Sequence, residues 1–147
     1  MRVITSLLTL LLLAALPNTF AREGELLVQG MLVVASNKPG TIDAKLSPYE
    51  PNLKKVLRFA SYRIAGEGST VLTVPGLNEI AIGQGHRLEI EGLSADRDLV
   101  RVRLKWTENK RELMNTTLRL IRGTPAVLGG PQVGNSGDVF AIIVLVL

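Results

Sequence analysis

The sequence predicts an all-β fold, either a β-sandwich or an open barrel of about eight strands, with one short amphipathic helix. Three observations lead there. From Ser61 onward, apolar and polar residues alternate with a period of two. Turn-forming Gly, Pro and Asn clusters recur roughly every 8–12 residues between these stretches. Only one segment after the N-terminal region carries a helical period, around Leu53, Val56, Leu57 and Ala60.

The elements follow in order. Met1-Arg2, the apolar run Ser6–Leu16, Pro17 and the small residues Thr19 and Ala21 form a secretory signal peptide, residues 1–21, with cleavage after Ala21. The apolar run is shorter than the ~20 residues that span a bilayer. Residues 22–147 then form a single β-rich domain. Leu26–Ala35 reads as a strand, and Ser36–Glu50 as a loop with a turn at Asn37-Lys38-Pro39-Gly40. The helix starts near Pro51, since proline is favoured at a first helical position, and runs to Ala60 with Lys54, Lys55 and Arg58 on its polar side. Tyr62–Ala65 is a strand ended by Gly66-Glu67-Gly68, and Thr70–Val74 is the next. After Pro75-Gly76, strands are centred on Asn78–Ile82, Leu88–Ile90, Val100–Trp106 and Met114–Ile121, with a short one at Ala126–Leu128. Gly129-Gly130-Pro131 and Gly134–Gly137 bracket a loop. Val139–Leu147 is apolar at every position, which marks a central strand buried on both faces, one of them covered by the helix.

Composition narrows the chemistry. The 147 residues contain no cysteine and one histidine, which excludes disulfides, thiol nucleophiles, thiolate metal sites and a multi-histidine metal site. No cofactor or metal ligand set is called for. The net charge of +4 becomes +3 once Arg2 leaves with the signal, a surplus too small to indicate a nucleic-acid partner. Of the five aromatic residues after the signal, Trp106 and Phe140 fall at core positions and Tyr49 and Tyr62 flank the helix, leaving few rings for stacking on sugars or bases.

Each candidate site has an ordinary reading beside it. His86 follows a glycine turn and reads as a surface histidine; a hydrolase would have to combine it with Asp96 or Asp98. Ser94–Asp98 offers two carboxylates, fewer than the six or so oxygens calcium gathers, and reads as a polar hairpin. Gly66–Thr70 resembles a phosphate loop without its lysine or its helix. Asn115-Thr116-Thr117 is a glycosylation sequon. Arg101, Arg103 and Lys105 share one strand face, the most organised charge feature, and could hold a lipid headgroup or an anionic glycan. If the strand at 86–91 pairs antiparallel with that at 100–106, Glu89 and Glu91 answer these cations instead.

Ala35-Ser36-Asn37, Leu57–Phe59, Ser61-Tyr62-Arg63, Thr116-Thr117-Leu118 and Gly129-Gly130-Pro131 before an apolar last strand together resemble small exported bacterial β-rich proteins of unassigned function. The resemblance spans most of residues 22–147; it implies export and a β fold, and supplies no catalytic residue. The sequence therefore points to an exported, non-enzymatic β-sandwich in the periplasm or secreted. It would act by contact with another envelope or secreted protein, as an accessory part of an envelope or secretion assembly. A binding module using Arg101, Arg103 and Lys105 is the alternative, and a hydrolase the third.

Overall fold

The computed structural model describes residues 25–147; the signal peptide read at residues 1–21 lies outside them. Eight strands form two antiparallel four-stranded sheets, a β-sandwich rather than a barrel. In chain order they are β1 (Glu25–Ser36), β2 (Ser61–Thr73), β3 (Gly76–Gly83), β4 (His86–Ala95), β5 (Leu99–Glu108), β6 (Arg111–Ile121), β7 (Ala126–Gln132) and β8 (Val139–Val146). The first sheet has the order β2-β1-β8-β7 and the second β3-β4-β5-β6.

Period-two alternation fills the space between the sheets. Leu26, Val28, Leu32 and Val34 of β1 and Phe140, Ile142, Val144 and Val146 of β8 face Leu88, Ile90, Val102, Leu104 and Trp106 of the second sheet. Each such side chain contributes about 1.5–3 kcal/mol by leaving water. The fully apolar β8 is central, paired with β1 on one side and β7 on the other, as its sequence requires.

The opposite face of the first sheet carries a second core. Met31, Val33, Ala35, Ala141 and Ile143 lie under Leu46 and Leu53, both fully buried. These two belong to a 3-10 turn (Ala44–Tyr49) and to helix α1 (Glu50–Val56). The helix is shorter than its periodicity suggests. Leu57 turns extended, Val56 is 53% exposed, and Leu57 and Phe59 pack onto the sheet as irregular chain. Tyr62 fixes this exit: its hydroxyl donates to the Leu57 carbonyl at 2.5 Å and accepts from the Phe59 N–H at 3.3 Å.

Two glycine segments expected to break strands lie inside them. Gly66-Glu67-Gly68 continues β2, because the backbone of β3 crosses too close for any side chain. A Cβ on Gly66 would collide with the Ile82 carbonyl, and one on Gly68 with the Ala81 carbonyl. Gly129-Gly130-Pro131 belongs to β7; a Cβ on Gly130 would strike the Trp106 ring. Glycine in a strand interior here marks close approach, not a turn.

Candidate functional site

The outer face of the second sheet holds the predicted basic row, and register decides what each cation meets. Antiparallel pairing sets Arg103 opposite Glu91 and Lys105 opposite Glu89. The Arg103 guanidinium lies 2.9 Å from Glu91 Oε2, and Lys105 Nζ 3.7 Å from Glu89 Oε2. On β3–β4, Arg87 pairs with Glu79. These are exposed pairs, worth at most about 1 kcal/mol each.

Arg101 differs. The β4–β5 register slips between Gly92 and Ser94, so Ser94 stands opposite Arg101 on one side. On the other side stands Arg119 of β6. Among the described residues neither guanidinium has a carboxylate within 4.0 Å. Both arginines line an open groove of about 500 Å³ together with Ser94, Asp96 and Leu99. The predicted basic row therefore divides: Arg103 and Lys105 are neutralised in place, and Arg101 joins Arg119, which the sequence reading did not single out. The signal that locates Arg119 is the β5–β6 register. A bulge between Trp106 and Thr107 shifts that register by one residue from the count that the tight Asn109-Lys110 turn gives.

His86 is not on the surface; it is 1% exposed, in the core between the sheets. Its parity with Leu88 and Ile90 carries it inward. Nδ1 accepts the Trp106 Nε1–H at 3.0 Å, which requires Nδ1 to be unprotonated and puts the proton of the neutral ring on Nε2. Nε2 has no hydrogen-bond partner and lies 3.5 Å from Glu108 Oε1. The Phe140 ring is 4.5 Å away, centre to centre. Burial lowers the imidazole pKa, and the Glu108 carboxylate works against that.

The structure does not bring His86 to Asp96 or Asp98. His86 opens β4 and the two aspartates follow its far end, about 30 Å away at ~3.3 Å per residue. The Ser94–Asp98 segment is the β4–β5 connection: the Asp96 N–H donates to the Leu99 carbonyl, and Asp96 Oδ1 accepts the Arg97 N–H at 2.8 Å. No group of three or more potential metal-ligating side chains occurs among the described residues. The sequon residue Asn115 is exposed on β6. No described helix is long and apolar enough to cross a membrane.

The described residues thus define an antiparallel two-sheet β-sandwich with a laddered charged face, one unbalanced arginine pair and a buried Trp–His contact. No family model, curated protein or solved structure matches the chain.

Proposed function

We propose that this is an exported, non-enzymatic β-sandwich that works by protein–protein contact, as an accessory component of a bacterial envelope or secretion assembly, docking a partner strand along β6. The observation that supports this reading is the distribution of sheet edges. A four-stranded pair of sheets has four edges. Those of β2 and β3 approach each other backbone to backbone at Gly66 and Gly68. The edge at β7 is seven residues long and interrupted by Pro131 and a register shift. Strand β6 has eleven residues, contains no proline, and among the described residues is hydrogen-bonded only to β5. Its free N–H and C=O row offers a partner strand main-chain hydrogen bonds, while Asn115 and Thr117 flank it without charge.

The test is site-specific photocrosslinking in intact bacterial cells. A benzophenone residue at Asn115 is compared with one at Leu77 on β3, the far strand of the same sheet. The expected result is an adduct to one envelope protein from position 115 alone. A purified protein that stays monomeric, with no adduct specific to β6, refutes the proposal.

A further inference from the structure

We infer that the corner where β4, β5 and β6 meet binds the phosphate of an anionic phospholipid headgroup between Arg101 and Arg119. The rest of this face pairs its cations with carboxylates on neighbouring strands: Arg87 with Glu79, Arg103 with Glu91, Lys105 with Glu89. Arg101 and Arg119 oppose each other directly. Like charges in that position destabilise a sheet unless an anion joins them. Two guanidinium forks projecting from one face suit a tetrahedral oxyanion, each donating two N–H groups.

The β4 bulge contributes to the same arrangement. Without the slip between Gly92 and Ser94, Leu93 would stand opposite Arg101; with it, the Ser94 hydroxyl does. Bulges re-aim side chains in this way beside functional sites. Arg97 and Arg122 line an adjoining groove that shares Ser94 and Asp96 with the first. The two grooves thus gather four arginines against Asp96.

The neighbouring row selects the source of the phosphate. Leu99 and Ile121 face each other one step beyond the arginines on the same face, 40% and 53% exposed. A free phosphate gains nothing from an apolar pair. A phosphate on a glycerolipid brings acyl chains that bury it.

The experiment uses the full chain and phosphatidylcholine vesicles with or without phosphatidylglycerol, read by co-sedimentation. The wild type partitions onto the phosphatidylglycerol vesicles. R101Q/R119Q lowers that partitioning about 30-fold, from roughly 1 kcal/mol per basic residue at an anionic surface. R103Q/K105Q removes the same charge from the same face and keeps most of the binding. Equal losses in the two variants overturn the site and leave only diffuse surface charge. L99S/I121S weakens vesicle binding without changing calorimetric binding of inorganic phosphate. If L99S/I121S has no effect and inorganic phosphate binds the wild type as tightly as the vesicles do, the lipid is overturned as the ligand. Variants of one chain are compared throughout, so residues 1–24 contribute equally to each.

Discussion

His86 is the one histidine of the chain, so the interval between about pH 5 and 7.5 isolates a single side chain. In the unfolded chain it takes up a proton near its ordinary pKa of about 6.5. In the fold, burial lowers that pKa, more than Glu108 raises it. A lowered folded pKa means the unfolded state binds more protons as pH falls below 6.5. The stability His86 contributes is therefore fully present above that value and is lost as pH drops towards the folded pKa. The slope reaches at most about 1.4 kcal/mol per pH unit for one proton, a ceiling of about 2 kcal/mol between pH 6.5 and 5. Protonation has a geometric consequence too. A proton on Nδ1 would face the Trp106 N–H that now donates to it at 3.0 Å, so the bond breaks. The assay is urea unfolding across this range for the wild type and for His86→Leu. His86→Leu leaves the indole N–H unsatisfied and starts about 1–3 kcal/mol less stable at pH 7.5. Its stability should then change far less between pH 7.5 and 5 than that of the wild type. Wild-type fluorescence from Trp106, the sole tryptophan, should shift over the same interval before unfolding. Parallel pH slopes in the two proteins would refute the reasoning.

Three further substitutions probe the packing. Gly66→Ala puts a methyl against the Ile82 carbonyl and should cost about 3 kcal/mol or more by chemical denaturation, whereas Gly129→Ala, whose Cβ would find its nearest neighbour at 3.4 Å, should change stability by less than about 1 kcal/mol. Tyr62→Phe removes the hydroxyl that holds Leu57 and Phe59; a loss of about 1–2 kcal/mol is expected, with faster amide exchange confined to residues 57–60.

Strands β4 and β5 were legible in the sequence because one face is apolar and the other charged, which fixes both parity and pairing. The expected meeting of Glu89 and Glu91 with the cations of β5 takes the form Glu89 with Lys105 and Glu91 with Arg103 in the register observed, and leaves Arg101 out. The same parity places His86 inward with Leu88, although the glycine turn beside it reads as surface. Gly66, Gly68 and Gly130 misled for another reason. A glycine marks a turn when the chain bends, and a contact when another backbone or ring lies against it; only the tertiary structure tells the two apart. Helix α1 ended early because Tyr62, after it in sequence, captures the Leu57 carbonyl. Arg119 stayed hidden because its meeting with Arg101 depends on a bulge at Trp106–Thr107, and a one-residue slip has no compositional mark.

The pairing of β1 with β8 has a consequence for how the chain reaches this state. Val28 meets Val146 and Ala35 meets Val139, partners on the order of a hundred residues apart. The first sheet cannot close until β8 has been delivered, and until then β1 waits with both faces apolar and one side of its backbone unpaired. Such long-range closure makes for slow folding and prolonged exposure of an adhesive strand. Removal of Val139–Val146 would therefore abolish folding rather than trim it.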